Sequence, residues 1–250
     1  MEETESTRIN KFLSEAGFCS RRAADKLIEQ GRVTINGKVP EMGTKIVPSD
    51  EVRVDGKLLS ASKEKPVYIA FNKPVGIVCT TDTSVERDNI IDYINYPSRI
   101  FPIGRLDKPS EGLIFLTNDG DIVNKILRAR NNHEKEYIVS VNRAITKDFL
   151  EQMRNGVPIL DTVTRKCFVE QINKFDFRII LTQGLNRQIR RMCEYLGFDV
   201  FSLQRIRIMN IVLDVPVGEW RYLTDEEMLE INEMLVDSSK TFEEGDEEMD

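Results

Sequence analysis

An arginine and an aspartate stand close together in a short segment punctuated by glycine and proline. The segment is Gly104-Arg105-Leu106-Asp107-Lys108-Pro109-Ser110-Glu111-Gly112-Leu113, and it lies between two apolar stretches. Loops between strands often display catalytic groups on a rigid scaffold. While ionised, a carboxylate such as Asp107 can act as a nucleophile or stabilise developing charge. A surface turn with an incidental salt bridge is the alternative that this segment alone leaves open.

Further charged residues occupy a predicted helix, 186–196, whose two sides differ in polarity. The charged side consists of Arg187, Arg190, Arg191 and Glu194. The apolar side consists of Ile189, Met192, Cys193 and Leu196. This spacing predicts that the arginines point outward together while the apolar side faces the core. A solvated charged face without a function is the competing interpretation.

Cysteine and histidine usage argues against metal and hydrolase chemistry. The cysteines, Cys19, Cys79, Cys167 and Cys193, are far apart and form no C-x-x-C pair, which is typical of a reducing compartment. His133 is the single histidine, and it lies in a polar turn. A serine hydrolase using His133, a disulfide framework and a structural zinc site are therefore all disfavoured.

The net charge of −7 is distributed unevenly along the chain. Residues 225–250 hold twelve acids and one base, so residues 1–224 carry a net charge of +4. Two segments, 8–45 and 183–208, are locally basic, and such patches attract phosphates whatever the total charge. The candidate phosphate-binding residues of the first segment are Arg8, Lys11, Arg21, Arg22 and Lys26. A solvated face is the alternative for this cluster.

Hydrophobic periodicity divides the chain into two domains. Two short helices, 9–16 and 20–31, followed by short strands predict a compact ααβ module over residues 8–59. A polar linker is expected at 60–66, and residues 1–7 are expected to be disordered. The remaining 67–236 mixes strands and helices without a βαβ repeat, which predicts an α+β domain around a largely antiparallel or mixed sheet. An acidic, disordered tail is expected at 237–250.

The second domain has five predicted strands and three predicted helices before its last one. The predicted strands are 67–71, 112–117, 137–141, 175–182 and 205–213. The predicted helices are 121–129, 146–155 and 186–196, with Thr224 capping a final helix. No stretch approaches 18 uninterrupted apolar residues, and residues 1–17 do not form a signal peptide. We therefore expect a cytoplasmic protein with no membrane segment.

Taken in order and spacing, these motifs resemble those of the pseudouridine synthases that act on ribosomal RNA. Residues 104–113 resemble the family's signature loop, in which Asp107 stands at the invariant aspartate. Residues 71–76, 135–137 and 184–192 resemble its opening strand, its tyrosine motif and its arginine helix. Residues 8–59 resemble the RNA-binding module first described in ribosomal protein S-four. Pro109 departs from the family, which usually has an acid there, and would stiffen the loop.

The resemblance implies an enzyme that isomerises uridine to pseudouridine in ribosomal RNA, with the large-subunit RNA as the expected substrate. It implies Asp107 as nucleophile, Arg190 as the partner that keeps this carboxylate ionised, and Tyr137 against the flipped uracil. Arg105 would enter the RNA stack when the target base leaves it. Arg187 and Arg191 are expected to contact the RNA.

The reaction involves neither a redox change nor a net group transfer, so no cofactor and no metal are expected. We expect a monomer. A non-catalytic RNA-binding or ribosome-assembly factor on the same fold is the alternative function. For Tyr137 taken alone, packing within a strand is the alternative role.

Overall fold

The computed structural model describes residues 6–60, 65–83, 85–128 and 132–236. The chain divides into two compact units, 1–66 and 67–250. Most of the expected linker, the acidic tail and residues 1–5 lie outside the described residues. Thr7, expected to be disordered, instead pairs with Ile46 in a short antiparallel ladder.

The N-terminal unit packs two helices against short strands. Its elements are β1 Thr7–Arg8, α1 Ile9–Glu15, α2 Arg21–Glu29, β2 Val33–Ile35, β3 Lys45–Ile46, β4 Val52–Val54 and β5 Lys57–Leu59. Ser20 begins α2, because its side chain accepts a hydrogen bond from the backbone N–H of Ala23. The apolar sides of both helices meet the strands in one core, which includes Ile9, Leu13, Ala24, Ile28, Val33 and Val52. The predicted ααβ arrangement is confirmed.

The C-terminal unit is built on a nine-stranded sheet with the order β12-β13-β9-β14-β8-β6-β16, to which β7 and β15 add at β8 and β14. The strands are β6 Tyr68–Lys73, β7 Phe101–Ile103, β8 Glu111–Thr117, β9 Lys135–Val141, β12 Phe168–Gln171, β13 Asp176–Leu181, β14 Val200–Ile208, β15 Ile211–Val212 and β16 Trp220–Tyr222. The β14–β8 pair is parallel, whereas the neighbouring β14–β9 and β6–β8 pairs are antiparallel. The prediction of an α+β fold with a largely antiparallel or mixed sheet is therefore confirmed.

Helices cover both faces of this sheet. They are α3 Ile90–Ile94, α4 Gly120–Leu127, α5 Lys147–Asn155, α6 Gln188–Tyr195 and α7 Asp225–Met234, and β10 Pro158–Ile159 pairs with β11 Thr162–Val163 in a separate hairpin. One core contains apolar side chains of α3, α5 and α6, and the other contains those of α4 and α7. Tyr137 and Leu203 belong to the first core, which places the inward sides of β9 and β14 on the same face as α6.

Local patterns missed the shortest elements and misplaced one strand. The predicted strand 205–213 covers parts of two strands. β14 begins five residues earlier and ends at Ile208, and β15 follows it as a separate strand. Met209 interrupts the predicted strand because its backbone adopts the left-handed conformation, with φ of 52°. Elements of two to five residues, such as α3 and β16, are too short to show a hydrophobic period.

Candidate active site

A cleft of about 740 Å³ opens within the C-terminal unit. It is lined by the segment 104–110, by the start of β9, by the segment 183–190 and by β14. Five of the predicted site residues line it: Arg105, Asp107, Tyr137, Arg187 and Arg190. The tertiary structure thus brings together residues that are up to 85 positions apart in the chain.

Asp107 lies in the loop between β7 and β8, and its neighbours are fixed by buried contacts. Leu106 is buried in the core, and its backbone N–H donates to the Sγ of Cys79 at 3.3 Å. The carbonyl of Lys108 accepts a hydrogen bond from the backbone N–H of Gly76 at 2.8 Å. The side chain of Asp107 is 35% exposed and lines the cleft. The loop is therefore held rigidly while the carboxylate stays accessible.

Arg190 is buried beside this loop, so the prediction that the arginines of α6 point outward together is wrong for Arg190. Its Nε lies 3.9 Å from an oxygen of the Asp107 carboxylate. Its Nη2 donates to the carbonyl of Pro109 and to the hydroxyl of Ser110, both at 3.0 Å. Helical spacing identified which residues share a side, but the loop that covers this side comes from a distant part of the chain. Burial lowers the pKa of Arg190 and the charge of Asp107 opposes that shift, yet a guanidinium stays protonated at neutral pH.

The other two arginines of the predicted helix 186–196 lie closer to the surface. Arg187 precedes the helix in a left-handed conformation and lies 3.7 Å from Glu194. Arg191 donates to the backbone carbonyl and the side-chain oxygen of Asn186. Arg105 is exposed where the loop borders the cleft. Arg105 and Arg187 are therefore exposed at the mouth of the cleft, whereas Arg191 does not line it.

Tyr137 lies deeper, at 9% exposure, and faces a residue that sequence reasoning missed. Arg205 of β14 pairs directly across from Tyr137, and its guanidinium carbon lies 6.0 Å from the centre of the tyrosine ring. Arg205 is 3% exposed, and its Nε donates to the carbonyl of Leu113 at 2.6 Å. Gly112 makes this approach feasible, because a Cβ there would overlap the backbone of Arg205. The start of β8, which follows the Asp107 loop, therefore packs closely against the backbone of Arg205.

Two buried lysines complete the charged surroundings of the cleft. Lys73 is fully buried near Asp107, where its Nζ donates to the carbonyls of Pro74 and Ile77 and burial lowers its pKa. Lys135, at 8% exposure, lines the cleft at the start of β9. Burial, reinforced by the charge of Arg205, lowers the pKa of Lys135 to about 8. A lysine within an apolar strand was the available sequence signal for both, since Lys is rarely buried without a reason.

The N-terminal basic cluster belongs to the other unit. Arg8, Arg21, Arg22 and Lys26 are exposed, and Lys11 is half-buried with its Nζ 3.3 Å from Glu15. Within the described ranges, no group of three His, Cys, Asp or Glu side chains is placed to hold a metal ion. None of the described helices is both long and apolar enough to cross a bilayer.

The fold and the cleft agree with what comparison of the sequence shows. A family model described as RNA pseudouridylate synthase matches residues 67–195, and one described as S4 domain matches residues 7–52. The chain therefore belongs to the RNA pseudouridylate synthase family, whose members isomerise uridine to pseudouridine in RNA.

Among its relatives, the dual-specificity RNA pseudouridine synthase RluF of Salmonella typhi is 58% identical over 236 residues, which cover 94% of this chain and 81% of that protein. The ribosomal large subunit pseudouridine synthase B of Bacillus subtilis is 34% identical over 230 residues, covering 88% of this chain and 93% of that one. A crystal structure of a pseudouridylate synthase matches with a TM-score of 0.66 and 29% identity, covering 91% of this chain and 99% of the other.

Proposed function

We propose that this protein converts uridine to pseudouridine in ribosomal RNA, principally that of the large subunit, with Asp107 as the nucleophile. The supporting observation is the convergence of Asp107, Arg190 and Tyr137 in one cleft large enough for a nucleotide. One relative is named for the large ribosomal subunit, and another is named a dual-specificity enzyme, so a second RNA substrate belongs in the same tests.

The chemistry assigns a distinct role to each of the three residues. The carboxylate of Asp107 attacks the everted nucleotide, and the guanidinium of Arg190 lies beside it as a counter-charge. The bond between N1 of uracil and C1′ of the ribose breaks, a bond between C5 and C1′ forms, and the C5 proton ends on N1. Tyr137 supplies a ring against which uracil stacks during this rotation. No atom is gained or lost and no electron is transferred, so this reaction requires no cofactor or metal as a reactant.

The exposed basic residues hold the RNA while one nucleotide enters the cleft. Arg105 fills the space in the RNA stack that the everted base leaves, and Arg187 and Arg191 contact the flanking backbone. Arg8, Lys11, Arg21, Arg22 and Lys26 form a second phosphate-binding surface on the N-terminal unit. We also propose that the protein acts as a monomer in the cytoplasm.

The test compares two aspartates of the same cleft. Asp107→Asn should reduce conversion by roughly 10⁴-fold or more, because an amide is not a nucleophile. Its affinity for RNA should stay within about twofold, since phosphate contacts do not involve this carboxylate. Asp161→Asn is the matched control: Asp161 also lines the cleft, and its left-handed φ of 58° suits asparagine.

Both variants are incubated with unmodified large-subunit, small-subunit and transfer RNA, and pseudouridines are mapped at single-nucleotide resolution. Conversion by Asp107→Asn at the wild-type rate would eliminate Asp107 as the nucleophile. RNA binding by the wild-type protein without any conversion would instead favour the non-catalytic RNA-binding or assembly factor. Conversion confined to small-subunit or transfer RNA would remove the large-subunit assignment.

A further inference from the structure

Two buried cations in the cleft have no part in the mechanism described so far. We propose that Lys135 and Arg205 form a cationic subsite that binds the C4 carbonyl oxygen of the everted uracil and stabilises the negative charge that this oxygen gains during the reaction. The inference rests on the proposed function, because it requires uracil to enter the cleft. It adds two catalytic residues and an orientation of the base.

The strand register places both cations beside the ring of Tyr137. Side chains two residues apart on a strand point to the same face, so Lys135 and Tyr137 project from β9 together. Arg205 stands opposite Tyr137 on β14, with its guanidinium carbon 6.0 Å from the ring centre. All three residues line the cleft. A base that enters the cleft beside Tyr137 therefore comes close to both cations.

Neither cation is neutralised by the protein. Across the described ranges, the side chain of Lys135 forms no hydrogen bond and no ion pair, and the Nη2 of Arg205 is buried without a hydrogen-bond partner. The nearest acid in sequence, Glu136, is held by Arg178 and Arg207 instead. Burying an unpaired charge is costly, and such groups are found preferentially where a ligand supplies the missing partner. The cleft thus contains an unfilled requirement for negative charge or for a strong acceptor.

The reaction itself generates that charge, whichever carbon Asp107 attacks. If the carboxylate adds to C6 of uracil, the electrons of the C5–C6 double bond move onto the C4 carbonyl and make its oxygen an enolate. If the carboxylate attacks C1′ of the ribose, the electron pair of the N1–C1′ bond leaves with uracil and is shared by N1 and the two carbonyl oxygens. In both routes the C4 oxygen becomes more negative before the C5–C1′ bond forms and the C5 proton passes to N1. Preorganised cations at that oxygen lower the barrier.

A phosphate is the other anion that RNA could offer, but the depth of the subsite favours the base. Lys135 is 8% exposed and Arg205 is 3% exposed, whereas Arg105 and Arg187 are exposed at the mouth of the cleft. A phosphodiester remains in contact with solvent, so the exposed arginines are better placed to bind it. The buried Lys135 and Arg205 are better placed to bind the polar edge of an everted uracil, which is itself buried in the cleft.

Replacing the lysine by an uncharged side chain of similar length tests the charge. Lys135→Met should lower the single-turnover rate at saturating RNA by about 10²-fold, as removal of one transition-state donor does elsewhere. The dissociation constant for RNA should change by less than about twofold. Lys135→Arg, which keeps the charge, should recover most of the rate, and Lys147→Met, at an exposed position of α5, should match the wild type. An unchanged rate in Lys135→Met, or a loss confined to RNA affinity as expected of a phosphate contact, would overturn the proposal.

A modified substrate tests which oxygen is bound. Replacing the target by 4-thiouridine exchanges the C4 oxygen for sulfur, a weaker acceptor, and should slow the wild-type protein. The same exchange should have little further effect in Lys135→Met, because interacting groups give non-additive effects. With 2-thiouridine as the matched control, the wild type and the variant should be slowed by equal factors. Additive effects of 4-thiouridine and Lys135→Met would refute contact with the C4 oxygen.

These outcomes separate the two levels of inference. A wild-type protein that forms no pseudouridine overturns the proposed function and this subsite with it. Wild-type conversion that Lys135→Met leaves unchanged overturns the subsite alone. Thermal unfolding of each variant establishes that the fold is retained, and Lys135→Gln replaces the methionine variant in both experiments if that variant does not fold.

Discussion

Positive charge has opposite surroundings in the two units of this protein. In the N-terminal unit, Arg8, Arg21, Arg22 and Lys26 are exposed to solvent. In the C-terminal unit, Arg190, Arg205 and Lys135 lie in a cleft and are each less than one-tenth exposed. The attraction between a solvent-exposed charge and its partner is weakened by salt, and a neighbouring charge of the same sign can take its place. A buried charge acts more strongly, but only at short range. The exposed charges are therefore suited to attracting a polyanion, and the buried charges are suited to acting on a single bound group.

The ion pairs of the two units also differ in how much they contribute to stability. Arg32 and Asp55 of the N-terminal unit lie 2.6 Å apart, but both are about half exposed, so solvent screens their attraction and the pair adds little to stability. Arg190 has given up its hydration for three contacts with the Asp107 loop and with β14. Removing a buried partner of this kind leaves other polar groups unsatisfied. Substitutions in the two units should therefore differ in the size and in the nature of their effects.

The largest contrast is expected within α6 itself. Arg190→Met should lower the rate of conversion by about 10² to 10³-fold, because Asp107 loses its counter-charge and the loop loses its donors to Pro109 and Ser110. Arg187→Met, at the exposed residue that precedes this helix, should lower the rate by less than about tenfold. The measurement is single-turnover conversion at saturating RNA, with thermal unfolding of both variants as the control. Equal losses would show that burial does not distinguish these arginines.

A smaller effect should appear in the pH dependence of the rate. The pKa of Lys135 is lowered to about 8 by burial and by Arg205 on β14, while its neighbour on β13, Leu181, is uncharged and His133 just before β9 has a lowered pKa as well. Lys135 is therefore protonated below pH 8 and loses its charge above it. The rate should fall by about tenfold between pH 7 and pH 9.

Lys135→Arg is the control for this pH profile, because guanidinium keeps its proton throughout the range. The alkaline decline should disappear in this variant, while titration of the RNA itself would affect both proteins equally. An identical decline in the two proteins would assign it to a group other than Lys135.

The smallest effect on chemistry is expected from the N-terminal unit. Arg21→Met combined with Arg22→Met should weaken RNA binding several-fold at low salt and reduce the dependence of affinity on salt, because fewer counterions are released. The rate at saturating RNA should stay unchanged. Arg32→Met, whose arginine is paired with Asp55, is the matched control and should leave affinity nearly unaltered. A lower saturated rate in the double variant would mean that this unit also shapes the cleft.

Patterns of neighbouring residues determined much of the fold and the candidate nucleophile. Periodicity located both helices of the N-terminal unit and most long elements of the C-terminal unit to within a few residues. The glycine- and proline-punctuated loop singled out Asp107, and the motif order indicated the family that the comparisons then showed. These features are local in sequence, so local spacing was sufficient to find them.

The tertiary structure alone decided which charges are buried and which residues face each other. Helical spacing put Arg190 and Arg187 on one side of α6, but only the packing of the Asp107 loop buries the first and leaves the second in solvent. Arg205 meets Tyr137 through strand register, and the irregularity that follows Arg205 in β14 cannot be read from its neighbours. Contacts between distant segments depend on how the whole chain packs, whereas periodicity reports only how a segment is divided into sides.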